Sequence, residues 1–291
     1  MKTPLLTMLA LVAFAANSVL CRLALGGAAI DAASFTTIRL ASGAWALLII
    51  TALVNKSLRS LLPSPGRRIK FISALLLLLY AASFSFAYTG LTTGMGALLL
   101  FGSVQATMLL AALVYGERPH TLEWVGLVLA LFGLVYLVLP GLAAPPPVSS
   151  AFMALAGISW GLYSLRGRGA QDPLADTTSN FVLALPLACV INLFAYEGAR
   201  VSARGVALAV LSGALASGVG YVVWYAALRN LTATRAATVQ LSVPVLAAVG
   251  GVVFMSERVT PRLLAAAVVI LGGVALALSG RARTAKTKNA A

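Results

Sequence analysis

A chain of 291 residues that is 60% hydrophobic and 10% charged has too much apolar surface for a water-soluble fold, because soluble domains carry about 25% charged residues. Its net charge of +14 would suggest nucleic acid in a soluble protein. The cations, however, lie mostly in short connections and at the C-terminus, where Lys and Arg set membrane topology, so nucleic-acid binding is set aside.

Apolar runs of about 20 residues, enough to cross a bilayer, recur along the chain. They predict ten spans near 4–24, 32–54, 70–89, 93–115, 121–139, 150–166, 174–195, 205–226, 234–255 and 261–279. Lys2 and the small residues Ala13–Ala16 could mimic a cleaved signal peptide. We read a retained first span instead, because it has a counterpart later in the chain. It carries Asn17, an amide that must face protein or water, since an unpaired amide in lipid is costly.

The second span carries Arg39 about two turns in. Two readings fit it: a fork that clamps a substrate carboxylate, or a side chain that snorkels to the outer face beside Asp31. Tyr80, Phe84 and Tyr88 in the third span are spaced i, i+4, i+8 and share one helical face. They either wall a substrate cavity or pack, with Tyr88 in the interfacial belt. Gln105 in the fourth span is another intramembrane amide, able to meet a substrate or tie helices together.

Pro145–Pro147 marks the midpoint. Trp160 lies near the middle of the sixth span, where a belt tryptophan is not expected, and its indole N–H needs a partner. With Tyr163 it is a candidate cavity wall. Asn180 and Asn192 are amides of the seventh span, Asn192 reading as a tie between helices. Trp124, Trp224 and Tyr225 read as belt residues. Pro186, Gly213, Gly218 and Pro244 are candidate hinge or gating positions, through kinks at the prolines and close packing at the glycines. Gln240 precedes Pro244 and is a further candidate contact. Cys21 and Cys189 read as packing residues, with no metal or disulfide spacing.

All seven acids (Asp31, Glu117, Glu123, Asp172, Asp176, Glu197, Glu257) and the one histidine, His120, fall at or near predicted helix ends. Ion-coupled pumps and exporters of lipophilic cations usually hold an intramembrane carboxylate or histidine. A path lined by aromatic, amide, hydroxyl and backbone groups is therefore expected. With the N-terminus in the cytoplasm, fifteen basic residues fall on cytoplasmic segments and four on outer ones, which predicts both termini inside.

The two halves resemble each other. Glu117-Arg118 ends the fourth span and Glu257-Arg258 the ninth, 140 residues on, and an offset of 144 takes Arg22 to Arg166. Five spans per half is an odd number, so the second half would enter from the opposite side. The expected fold is all-α and integral to the membrane, ten transmembrane helices as two inverted five-helix repeats: 1–144, 145–280 and a basic cytoplasmic tail, 281–291.

On these residues the chain resembles the drug/metabolite transporter superfamily, specifically its EamA-type exporters. Trp160-Gly161 matches a Trp-Gly pair frequent in the first helix of a half; Ala16-Asn17 stands at the equivalent place. Pro244 matches a common family proline, with Val104 its counterpart in the fourth span. The resemblance covers about residues 4–280 and implies a bacterial inner-membrane exporter of small metabolites. Overall similarity is greatest to the aromatic amino acid exporters.

The expected activity is export of amino acids with aromatic or bulky apolar side chains, by alternating access and facilitated diffusion, without cofactor or metal. The expected partners are that substrate and membrane lipid, with the chain working as a monomer. A multidrug exporter of the same superfamily is the alternative in transport, weakened by the missing carboxylate. A lipid-modifying membrane enzyme is the alternative of another class, against which stands the lack of a His/Asp/Glu cluster or phosphate-binding loop. A scaffold would need neither a repeat nor buried amides.

Overall fold

The computed structural model describes residues 2–55, 67–114, 121–139, 144–167, 172–194, 199–228, 231 and 239–288. Ten helices lie among them at the predicted places. They are α1 (Lys2–Gly26), α2 (Ala32–Asn55), α3 (Arg67–Tyr88), α4 (Thr93–Val114) and α5 (Thr121–Val138). The second set is α6 (Pro147–Arg166), α7 (Pro173–Phe194), α8 (203–228), α9 (Ser242–Met255) and α10 (Pro261–Lys288). Six helices, α1, α2, α3, α6, α7 and α8, are long and apolar enough to cross a membrane. Three shorter apolar helices join them, and the 22 residues of α4 include no charged side chain. Glu117, Arg118 and His120 lie outside the described residues.

Apolar side chains face outward as well as inward. Trp45, Leu53, Phe132, Phe194, Phe254 and Val268 are each more than 60% exposed. In water such a surface would drive aggregation; in a bilayer it faces lipid tails. The inner faces interlock into one large core running through every helix except α5's outer side.

The helices pack in a repeating pattern. Helix α1 lies against α8 and α9, and α6 against α3 and α4. Helix α2 packs on α7 and α8, α7 packs on α2 and α3, and α5 is paired with α10. The α5–α10 crossing is built on glycines: a Cβ on Gly126 would sit 2.3 Å from the Gly273 carbonyl oxygen, and one on Gly273 2.7 Å from that of Gly126. Small residues at such a crossing let two backbones touch where lipid offers no hydrophobic drive.

Helix α8 departs from the expected geometry. Its middle, Leu211–Val219, is π-helical between α-helical stretches Ala203–Val210 and Gly220–Leu228. In an α-helix, residues five apart point in different directions; i→i+5 winding brings them toward one face. Ser212 and Ser217, five apart, both turn inward and are fully buried. A Cβ on Gly213 would sit 2.1 Å from the Arg39 carbonyl oxygen, so glycine here lets α8 lie directly on the backbone of α2. Gly218 is looser, with its nearest neighbour, Ala46 Cβ, at 3.3 Å.

The two expected hinge prolines sit in different settings. Pro244 sits in the first turn of α9, which starts at Ser242 after a turn at Leu241. Residues 239–240 before that turn are helical too, and the N–H that Pro244 lacks would have met the Gln240 carbonyl four residues back, so the helix is interrupted where a proline breaks its ladder. Pro186 lies inside α7 with its ring exposed at the outer face of the bundle. At the C-terminus α10 continues to Lys288, so the start of the basic tail is helical.

At one end of the bundle the α1–α2 connection is stitched to the segment before α8. Ile30 and Val201 form an isolated antiparallel bridge. The Asp31 N–H donates to the Arg200 carbonyl at 2.9 Å, and the Ser202 N–H to that of Ala29 at 3.0 Å. The Asp31 carboxylate accepts from the Ser34 N–H at 2.8 Å, capping α2, and from the Arg200 N–H at 3.1 Å. Burial pushes this carboxyl up, but the Ser34 and Arg200 N–H bonds outweigh it and hold it below the ordinary aspartate value. A lowered folded value means that the contribution is complete above the ordinary value, near pH 4, and is lost as pH falls through the lowered one. Melting of the purified protein is expected to weaken with acid over that range, and Asp31→Asn to flatten this part of the profile. An unchanged profile in Asp31→Asn would assign the acid sensitivity to other groups.

Candidate functional site

Two of the polar residues predicted inside the spans, Asn17 and Arg39, meet at Tyr80 in one buried cluster. Arg39 is 2% exposed, although it stands inside α2. Its Nε donates to the Ser217 hydroxyl at 3.3 Å and its Nη2 to the Tyr80 hydroxyl at 3.2 Å. The guanidinium carbon lies 5.3 Å from the Tyr80 ring centroid and 5.0 Å from that of Phe84, within cation–π reach. Both hydrogen-bond partners are neutral hydroxyls, and Nη1 is buried with no hydrogen-bond partner. Of the two readings of Arg39, the inward one describes its place: Asp31 is spent on the loop stitch.

Asn17 extends the network. Its Nδ2 donates to the Tyr80 hydroxyl at 3.5 Å, and its Oδ1 accepts from the Ser212 hydroxyl at 2.6 Å. Tyr80 thus accepts from both Arg39 and Asn17, which leaves its own phenolic proton for a further acceptor. The π-helical stretch is what presents Ser212 to Asn17 and Ser217 to Arg39.

Aromatic rings complete the cluster. Trp160 stacks against Tyr80 at 4.8 Å, Tyr221 at 5.1 Å and Tyr163 at 5.5 Å between centroids. Phe14 meets Tyr221 edge-on at 6.0 Å, and Phe181 does the same. Between the rings of Phe14, Tyr80, Phe84, Trp160 and Tyr221, with Asn17 and Leu100, lies a void of about 20 Å³, room for roughly one water molecule. The aromatic cage is closed in this conformation.

The other predicted residues spread around this centre. Tyr163 is buried one turn from Trp160 and accepts from the Asn180 side chain at 3.2 Å. Tyr88 is fully buried two turns beyond Tyr80, against Phe84 at 4.8 Å, and is no belt residue. Gln105 is buried in α4 and Gln240 is half-buried before α9, both outside the cavity lining. Asn192 accepts from the Ser34 hydroxyl at 3.4 Å, a tie between α7 and α2. Trp224, expected at the interface, is 7% exposed and packs on Phe14 at 5.6 Å, because α8 crosses α1 inside the bundle. Trp124, 48% exposed, faces outward as a belt residue does.

Tyr221, Phe14 and Phe181 were not singled out by the sequence. The repeat expected between the halves could have pointed to the first: Tyr221 lies 141 residues after Tyr80, as Tyr225 does after Phe84 and Asn180 after Arg39.

Beyond Tyr88, the end of the bundle that holds Asp31 is latched. The Arg22 Nε lies 3.3 Å from Glu257 Oε1. Arg22 Nη1 also donates to the carbonyls of Tyr88 at 3.0 Å and Thr89 at 3.3 Å. Glu257 Oε2 accepts from the Thr93 N–H at 2.8 Å, at the start of α4. One ion pair thereby joins the end of α1, the end of α3, the start of α4 and the turn after α9. The reading of Glu257 as a helix-end residue holds; its partner is a new feature.

A buried cation and an aromatic cage inside a bundle with an apolar outer surface suit the path of a membrane transporter. The EamA-like transporter family model matches residues 1–139 and again 149–279, and the chain belongs to that family. It is 50% identical to an uncharacterized protein of Pseudomonas aeruginosa over 280 residues, 96% of each chain. It is 32% identical over 182 residues to the threonine/homoserine exporter of Escherichia coli, 60% of each chain. It is also 24% identical over 221 residues to a protein of that organism described as a probable amino-acid metabolite efflux pump, covering 68% of this chain and 73% of that one. A crystal structure 18% identical to the chain superposes with a TM-score of 0.66, over 94% of this chain and 98% of the other; that likeness concerns the fold.

Proposed function

We propose that this protein exports neutral α-amino acids, preferring aromatic or bulky apolar side chains, by alternating access between two inverted halves. The observation that carries the reading is Arg39: a buried guanidinium with an unpartnered Nη1, beside a tyrosine with a proton to give, among aromatic rings. A carboxylate is the group that satisfies both donors, and a bidentate fork is strong where water is excluded. The rings of Trp160, Tyr80 and Tyr221 offer flat apolar surface to the side chain and negative faces to the ammonium. The named activities of the two Escherichia coli relatives are in keeping with an amino acid substrate.

The same charge disfavours lipophilic cations, which Arg39 would repel at the centre of the path. The two matches to one family model, and the packing pattern in which α1 relates to α8 and α9 as α6 does to α3 and α4, support the inverted repeat. Such repeats exchange access by rocking around a midplane site. Opening the cage is then part of the cycle, since its void of about 20 Å³ holds no amino acid as it stands. The basic segments support a bacterial inner-membrane location with both termini cytoplasmic.

Proteoliposomes of the purified protein, loaded with radiolabelled amino acids and given no ion gradient, test the proposal. Protein-dependent release of phenylalanine, tyrosine or tryptophan is expected, and an imposed pH gradient is expected to change the rate little. Release of no amino acid under either condition would overturn it; release only with a proton gradient would overturn its facilitated mechanism.

A further inference from the structure

Above the closed cage the same end of the bundle holds an open vestibule of about 310 Å³. Its lining includes Arg22, Gly26, Gly27, Arg204, Met255 and Glu257. It stands apart from the cage: Arg22 follows Asn17 by five residues on α1, roughly 7 Å of helix, and Tyr88 follows Tyr80 by eight on α3, about 12 Å. The fully buried Tyr88 and the Arg22–Glu257 latch lie between them.

The chemistry of the vestibule is that of a zwitterion site. Arg22 holds Glu257 and two carbonyls through Nε and Nη1; none of these bonds uses Nη2. Arg204, exposed in the first turn of α8, supplies a second cation. Glu257 accepts one N–H on each oxygen, and a carboxylate has further lone pairs for an ammonium. Two cations against one anion favour a ligand that brings a carboxylate. A carboxylate meets that excess of positive charge, and an ammonium on the same ligand finds the open lone pairs of Glu257. Glycine at 26 and 27 keeps the floor bare; a Cβ at Gly26 would sit 2.7 Å from the Arg22 guanidinium.

We propose that this vestibule is a second binding site for the amino acid zwitterion, whose carboxylate takes Arg22 and Arg204 and whose ammonium takes Glu257. The ligand then draws on the charges that Arg22 and Glu257 turn on each other, so occupancy of the vestibule weakens the latch. This rests on the amino acid reading of the central cage and adds a second station to the same path.

The test uses the full-length protein in oriented vesicles, with phenylalanine and its 2-hydroxy analogue 3-phenyllactate applied to the vestibule face during phenylalanine counterflow. Arg204→Gln is expected to raise the half-saturation for phenylalanine at that face about tenfold relative to the opposite face, the loss of one charge-assisted contact. Glu257→Gln keeps an acceptor for the Thr93 N–H and removes the charge. It is expected to shrink the preference for phenylalanine over 3-phenyllactate as a competitor at that face. Counterflow in the wild type with both parameters unmoved in the variants would sink the vestibule site and leave the central reading standing. Absence of amino acid counterflow in the wild type would sink the central reading and the vestibule with it.

Discussion

Arg39→Met will all but abolish transport and leave the protein as stable as before, or more so. Truncating one member of a buried hydrogen-bonded charge pair costs about 2–5 kcal/mol, and each 1.4 kcal/mol or so is a factor of ten. With substrate carboxylate as the absent partner, flux per folded molecule should fall about a hundredfold. Stability should not follow, because the guanidinium is now buried against neutral hydroxyls with Nη1 unpaired. Replacing a buried charge by an apolar side chain of similar volume is often neutral or stabilising. Arg39→Lys keeps the charge but loses the fork that bonds Tyr80 and Ser217 together, so it should transport poorly as well. Flux of purified variants, normalised to a thermal melt of the same preparations, decides the matter. A markedly lower melting temperature with normal flux would make Arg39 a structural cation, and the carboxylate reading would fail.

What could be read from the chain beforehand follows the same physics. Ten runs of apolar residues are hard to place anywhere but in a membrane, and the helices lie where those runs do. Asn17 and Arg39 stood out because a polar group in lipid must find a partner, and both proved to share the Tyr80 hydroxyl; Trp160 stood out by its depth and stacks on that same ring. Tyr221 and Phe14 did not stand out, since an aromatic ring in an apolar helix looks the same whether it packs or lines a path. Trp224 was placed at the interface for that reason and belongs inside. Gln105 and Gln240 satisfied the same polar criterion as Asn17 and lie outside the cavity lining, because the criterion says that a partner exists and is silent on which one.

Two features were beyond a helical template. Ser212 and Ser217 are five apart, on different faces of any α-helix, and only the π-helical stretch brings both to the site. Arg22 and Glu257 are separated by 235 residues, and each reads alone as an ordinary helix-end charge.

The adjacent glycines of α10 will respond in opposite ways to a side chain. Gly273 faces the backbone of α5, where a Cβ would fall 2.7 Å from the Gly126 carbonyl oxygen and 2.8 Å from the Ala130 nitrogen. Neither atom can step aside as a side-chain end could, so Gly273→Val must push α5 and α10 apart along their whole crossing. Overpacking a fitted core costs about 1–3 kcal/mol, and here the loss falls on the pair of helices that hold each other most extensively. A large fall in melting temperature and in the yield of folded protein is expected. Gly272 has no atom within 4 Å of the same probe position. Gly272→Ala should cost nothing and gain about 1 kcal/mol from helix propensity, read as an equal or higher melting temperature. Equal losses for both variants would mean that the two glycines serve the helix itself, and the close approach of α5 to α10 would no longer account for either. Sequence patterning alone treats this Gly-Gly pair as one feature; the crossing separates its members, because only one of them lies where two backbones meet.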